Sequence, residues 1–276
     1  DHRKILVVDD EIGYVGGYNI GSLYATDWRD THLGLEGPAV WDLRNAFVDS
    51  IEAANVARRR LDPNAPEVGV EAIPGFACYE TVEETFAIAQ GFATSFPNLA
   101  SWLDVGDSWQ KTTGSGGYDM RVLKLTNAGI AGPKPKLLVT AAIHAREYTT
   151  APMALEFARW LVNGYGSNAD ATWLLDHHEV HLLLQTNPDG RKKAEAGLSW
   201  RKNTNNNFCA NTNNRGVDLN RNFTYNWNVT GGTGSSGNAC DLTFRGPSAS
   251  SEPETGAVEG YIRSLWPDRR GPALTD

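Results

Sequence analysis

A short apolar run that ends in a pair of metal-ligand side chains constrains this chain more than any other feature. Lys136 to Ala142 (KLLVTAA) is bounded upstream by Pro133 and Pro135 and reads as a buried strand. Ile143-His144-Ala145-Arg146-Glu147 follows at once. A strand that ends in His-x-x-Glu turns both side chains toward one point. Imidazole nitrogen and carboxylate oxygen are ordinary zinc ligands, and a catalytic zinc takes three protein ligands plus an open position for water. His144 and Glu147 are therefore candidate ligands, with Zn2+ as the candidate cofactor. Taken alone, the same pattern also describes a strand-end turn with a solvated carboxylate. A second cluster downstream argues against that bland reading. It comprises Asn187-Pro188-Asp189-Gly190, then Trp200-Arg201-Lys202-Asn203, then Gly216-Val217-Asp218-Leu219-Asn220-Arg221-Asn222-Phe223.

HAREY, NPDG, WRKN and GVDLNRNF, in this order, resemble the zinc metallocarboxypeptidases of the carboxypeptidase A/B type. The likeness runs from about Ile73 to the last residue. It implies that His144 and Glu147 are the first two zinc ligands and that Asp218 is the carboxylate that orients the ligand His. It implies that Arg146 and Arg201 contact the peptide and polarise the scissile carbonyl, and that Asn220 and Arg221 grip the substrate's free C-terminal carboxylate. The implied partners are peptides or proteins with a free C-terminus. These residue types suit those roles on physical grounds. Arginine's planar fork binds a carboxylate bidentately where lysine offers a point charge. A ligand His usually donates its other ring N–H to a carboxylate. An arginine beside a metal can stabilise the oxyanion formed by water attack. The bland alternative for Asn220-Arg221 is a loop salt bridge.

Formal net charge is 25 − 33 = −8, so no basic face exists to steer a nucleic acid in. With 41% apolar residues, the chain has an ordinary globular balance and nothing approaching a membrane span. Its 276 residues suffice for one large domain or two small ones. Three cysteines leave one odd thiol if two pair. Cys209 and Cys240 flank an Asn/Gly/Ser/Thr-rich stretch with little apolar material to hold it, and the resemblance also points to a bridge between these two positions. Such a bridge implies a secreted or extracytoplasmic protein. No signal peptide is visible, but the chain opens without a methionine, as a truncated N-terminus would.

The periodicity predicts a helix from Tyr79 to Phe96, with Thr81 as N-cap and Glu84 three residues on. Strands are predicted over Leu99 to Val105, Asp119 to Leu125 and Val180 to Gln185, and helices over Pro152 to Val162 and Ser251 to Leu265. Strands alternating with helices argue an α/β sandwich, and the resemblance specifies a mixed sheet with the chemistry at strand ends. His177, His178 and His181 invite a metal reading. Their spacing about a strand predicts instead that His178 and His181 take opposite or rim positions as satisfied histidines.

Residues 1–60 form a small α+β segment of another character, joined by a linker, 61–72, to a carboxypeptidase-like domain, 73–276. His2, Lys4 and Asp9, followed by Gly16-Gly17-Tyr18-Asn19, resemble the HKD signature of the phospholipase D superfamily over about residues 1–48. That resemblance implies His2 as phosphoryl nucleophile, with Lys4 and Asn19 on the phosphate oxygens. Superfamily members use two such signatures and one is present, so a phosphodiesterase would need a partner chain. Ile5 to Val8 and Gly13 to Val15 are expected to pair as a hairpin, and Ala39 to Arg60 to form one long helix. The carboxypeptidase resemblance implies a third zinc ligand, a general-base Glu and a substrate-binding Tyr beyond Asp276. The expectation is a fold incomplete at its C-terminus and inactive as it stands.

Overall fold

The computed structural model describes residues 73–76 and 79–266 with their side chains, and the backbone of three strands before them. The chain divides into two compact units, 1–69 with 230–234, and 70–229 with 235–276. In the first unit β1 (Ile5–Val8), β2 (Ile12–Gly16) and β3 (His32–Glu36) form an antiparallel sheet in the order β1-β2-β3. Ile5 pairs with Val15 and Val8 with Ile12, so the expected hairpin is present. The expected helix over 39–60 lies outside the described residues, as do His2, Lys4, Asp9, Asn19 and Cys78.

The second unit is built on a mixed four-stranded sheet. Its strands are β4 (Ala100–Asp107), β5 (Asp119–Leu125), β6 (Lys136–Thr140) and β7 (Glu179–Leu183), in the order β4-β5-β7-β6. β5 runs antiparallel to β4 and to β7, while β6 and β7 are parallel. The crossover between the parallel pair is made by α3 (Thr150–Gly164) and α4 (Ala169–His177). α1 (Val82–Ser95) joins them on that face, where Ala89, Phe92, Leu155, Ala158 and Leu161 pack on Leu123, Leu125, Val180 and Leu182. The other face carries Met120, Val122 and Leu183, covered by Val258 of α6 (Pro253–Leu265). β5 is covered on both faces, with Met120 and Val122 on one side and Leu123 and Leu125 on the other, while Asp119, Arg121 and Lys124 are half-buried. The second unit is thus the expected mixed-sheet α/β sandwich.

Local signals explain the helix ends. Thr81 accepts from the Glu84 amide while Glu84 Oε2 accepts from the Thr81 amide, the expected reciprocal box. Pro152 and Pro253 both fall in first turns, where a missing N–H costs nothing. Three short helices are additions to the sequence reading: α2 (Trp109–Thr112), α4, and α5 (Pro188–Glu195). α5 starts inside NPDG, with Asn187 as N-cap and Pro188 in the first turn. Its composition is so polar that periodicity alone gave no helical signal.

The parallel pair fixes where chemistry can sit. β6 ends at Thr140 and leads into Ile143–Glu147, and β7 ends at Leu183 and leads into Asn187–Gly190. Both motifs therefore leave the same edge of the sheet, the carboxyl ends of parallel strands.

Candidate metal centre and substrate clamp

The turn after β6 is held from several sides. Ala142 takes a left-handed φ of 53°, uncommon for a residue with a Cβ. Its amide donates to Thr150 Oγ1 at 2.9 Å. The Ala145 amide donates to the carbonyl of Arg201 at 3.1 Å. Asn187 joins the turn to the WRKN segment: its Nδ2 donates to Lys202 O at 3.0 Å, with longer contacts to Ile143 O and Arg201 O. Gly190 is required by the same close approach, because a Cβ there would come 2.5 Å from the Lys202 carbonyl oxygen. NPDG is thus scaffold. Asp189 is buried and accepts from Ser108 Oγ and the Gln110 amide, which ties α2 to α5.

His144 is 7% exposed and is addressed on both ring nitrogens. Nδ1 lies 3.0 Å from Glu147 Oε1, and Nε2 lies 3.2 Å from Asp218 Oδ1. Burial lowers the tendency of His144 to hold a proton, but the bonds from Asp218 and Glu147 outweigh it and raise its pKa. Asp218 has no exposed surface. Burial alone would raise its pKa; the bond to His144 and the charges of Arg201, His144 and Arg221 outweigh it and hold the carboxyl at about 2. Arg201 Nε and Nη2 donate to Asp218 Oδ2 at 3.1 and 2.9 Å. The Asn220 amide donates to Oδ1 at 3.1 Å, so Asp218 also starts the 3-10 turn Leu219–Arg221 that carries the clamp pair. The structure therefore brings His144, Glu147, Arg201, Asp218, Asn220 and Arg221 into one neighbourhood.

The donor set can be tested against zinc. Two ligands on a tetrahedral zinc with bonds near 2.1 Å stand about 3.4 Å apart. Nδ1 and Oε1 stand at 3.0 Å, and Nε2 is engaged by a carboxylate as a ligand imidazole needs. His144 and Glu147 therefore fit the metal as two of its ligands. Among the described residues, no group of three or more His, Cys, Asp or Glu could hold a metal ion. His177, His178 and His181 are not auxiliaries to the site. His181 is buried in β7 between Tyr261 Oη at 2.7 Å and Glu179 Oε2 at 3.3 Å, the satisfied role expected of it. His177 and His178 pack against the Trp173 ring.

Arg146 is exposed, with Nη1 donating to Ser199 Oγ at 3.2 Å. Arg201, which the resemblance places on the scissile carbonyl, has its Nε and Nη2 on Asp218 Oδ2 and its side chain 15% exposed. Arg221 is half-buried, its Nη1 donating to Asn220 O at 3.0 Å.

Cys209 and Cys240 form a disulfide, closing the loop that carries Asp218, Asn220 and Arg221. Sequence reasoning missed what seats that loop. Lys202 is buried, and its ammonium donates to Ala239 O and Asp241 O at 3.0 and 2.9 Å. Burial pulls its pKa down to about 8 against the charges of Asp218 and Asp241. Asn203 likewise reaches the α6 entry: Nδ2 donates to Glu252 Oε2 at 2.8 Å and to Glu254 Oε2 at 3.2 Å. WRKN held the signal, three polar residues in a motif, but not their destinations.

The zinc carboxypeptidase family profile matches residues 86–273. The chain belongs to the zinc carboxypeptidase family, a hydrolase family that uses Zn2+. Mouse carboxypeptidase A2 is 34% identical over 193 residues, which cover 68% of this chain and 42% of that protein. A zinc carboxypeptidase of Saccharothrix mutabilis subsp. capreolus is 33% identical over 194 residues, with the same coverage of both chains. Among solved structures, carboxypeptidase A from Helicoverpa armigera superposes with a TM-score of 0.60 at 26% identity, covering 86% of this chain and 52% of that one. The chain thus spans about half the length of the relatives it matches. These similarities give no support to the phospholipase D resemblance of residues 1–48.

Proposed function

We propose that this chain carries the metal and carboxylate-binding part of a metallocarboxypeptidase site, whose reaction is hydrolytic release of a C-terminal residue from a peptide. The observation that carries the reading is the doubly addressed His144, with Nδ1 on Glu147 and Nε2 on the buried Asp218, beside the Asn220-Arg221 turn. When bound, zinc supplies a water of lowered pKa and polarises the scissile carbonyl. The chain's own residues do the rest. His144 and Glu147 hold the metal. Arg221 takes the substrate's terminal carboxylate in a charge-assisted bond, with Asn220 beside it to fix its orientation. Arg146, exposed at the rim, meets the peptide on its upstream side. The Cys209–Cys240 bridge supports residence in an oxidising, extracytoplasmic compartment.

The test compares peptides with free and amidated C-termini, by calorimetry for binding and by chromatography for release of the last residue. A preference for the free acid that Arg221→Ala removes is expected. Equal binding of acid and amide would sink the clamp. With two metal ligands among the described residues, release of the C-terminal residue is expected to be negligible for this chain alone. A non-catalytic C-terminal-peptide binder built on the same clamp is the second reading. It is favoured by the Cys209–Cys240 bridge and the Lys202 contacts to Ala239 O and Asp241 O, which hold the loop carrying Asn220 and Arg221 without a metal, and it predicts binding unchanged by a chelator.

A further inference from the structure

Two Asn-x-Thr triplets lie in the chain, Asn222-Phe223-Thr224 and Asn228-Val229-Thr230. This pattern is the acceptor signature for N-linked glycans, which sit on surface loops of exported proteins. In the sequence the two triplets rank equally; in the fold they do not. Asn222 has no exposed surface. Its Nδ2 lies 2.9, 3.1 and 2.9 Å from Arg245 O, Ser248 O and Ser251 Oγ, and its Oδ1 accepts from the Glu252 amide at 3.1 Å. Both atoms of that carboxamide are engaged at the entry to α6. A Cβ on Gly246 would come 2.6 Å from Nδ2, so even one added carbon lacks room there.

Asn228 differs on each count. It is exposed, and its side chain makes no hydrogen bond with a described residue. Asn226 and Asn228 take left-handed φ values of 52° and 56°, a conformation asparagine tolerates better than most side chains. The Val229 amide donates to Asn226 O at 3.0 Å, which closes the turn. Trp227 roots it: Nε1 donates to Arg245 O at 3.2 Å, and the Arg245 guanidinium lies 5.3 Å from the ring centroid. The flanking Tyr225 and Val229 are 83% and 60% exposed. An anchored turn therefore presents a free carboxamide to solvent.

We propose that Asn228 is the acceptor for an N-linked glycan in the folded, exported chain, and that Asn222 is not. This rests on the extracytoplasmic reading of the Cys209–Cys240 bridge. The co-reactant is a lipid-linked oligosaccharyl diphosphate. The bond from its anomeric carbon to the diphosphate oxygen breaks as Asn228 Nδ2 bonds to that carbon. Nδ2 gives up one proton, and the lipid diphosphate leaves.

The experiment expresses the full chain, with a secretory leader supplied, in a eukaryotic host and collects it from the medium. Peptide N-glycosidase in heavy-oxygen water converts each glycosylated asparagine to labelled aspartate, which peptide mass spectrometry locates. Alkylation before and after reduction counts the free thiols. Label at Asn228 and none at Asn222 is expected, with Cys209 and Cys240 paired. Thr230→Ala, which keeps Asn228 itself, should abolish the label and leave the bridge intact. Should the chain not leave the host, translation of the full chain into microsomes gives the same readout at Asn228. An unlabelled Asn228, or label at Asn222 in the secreted chain, would overturn the proposal. Free thiols at Cys209 and Cys240 would instead overturn the compartment reading, while the label still decides on Asn228.

Discussion

At the scale of single residues, the site is held by buried polar groups whose partners come from distant parts of the chain. Glu254 is the extreme case. It has no exposed surface, accepts from the Trp109 amide and from Asn203, and burial raises its pKa from 4.5 to about 8. The folded chain therefore keeps a proton on this group up to about pH 8 that the unfolded chain releases near 4.5. Its contribution to stability is fullest below that window and is lost as pH rises through it. Urea unfolding of the parent chain should show stability falling between about pH 5 and 8. Glu254→Gln, which cannot ionise, should remove much of that slope. An identical pH profile for both proteins would show that the carboxyl is already ionised in the fold. Asn187 makes a second test. Asn187→Ala removes the side-chain partner of the Ile143 and Lys202 carbonyls and of the Gly190 amide, so a loss of about 1–3 kcal/mol is expected in the same measurement.

At the scale of elements, caps and closures decide which loops stand still. The Thr81–Glu84 box starts α1, and Thr81→Ala should cost about 1 kcal/mol by thermal or urea unfolding. The 209–240 loop is the larger case. Cys209 and Cys240 are separated by 31 positions, for which the chain-entropy estimate is roughly 3–4 kcal/mol. Reduction, or replacing both cysteines by serine, should lower the melting temperature and also weaken binding of free C-terminal carboxylates, since the same loop carries Asn220 and Arg221. A lower melting temperature with unaltered peptide affinity would mean that Lys202 and Asp218 seat the clamp without the bridge.

At the scale of the whole molecule, a chain of net charge −8 gathers Arg201 and Arg221 around the buried Asp218 carboxylate, beside the His144–Glu147 pair. Such a local reversal of sign suits an anionic ligand. Two protein ligands hold zinc weakly. Dialysis without added metal should therefore leave far less than one zinc per chain by elemental analysis. Near-stoichiometric zinc would mean that a further ligand has been overlooked.

The elements and motifs of residues 79–266 were legible because each depends on neighbours in sequence. The Thr81 cap, the strand positions and the His-x-x-Glu turn are short-range patterns, read from cap residues and periodicity; β6, expected to be buried, is instead an outer strand of the described sheet with Leu137 48% exposed. α4 escaped because its nine residues are too few to set a clear period, and α5 because it is almost wholly polar; Asn caps start both. The motifs also name His144, Glu147, Asp218, Asn220 and Arg221, which the structure brings together. What only the tertiary structure decided is who holds whom. Arg201 lies 17 positions from Asp218, and Asp218 lies 74 from His144. Hydrogen bonds over such spans depend on how the loops after β6 and β7 are stacked, and no local propensity carries that information. Residue types determine what a group can do; the direction in which a fixed donor points determines what it does.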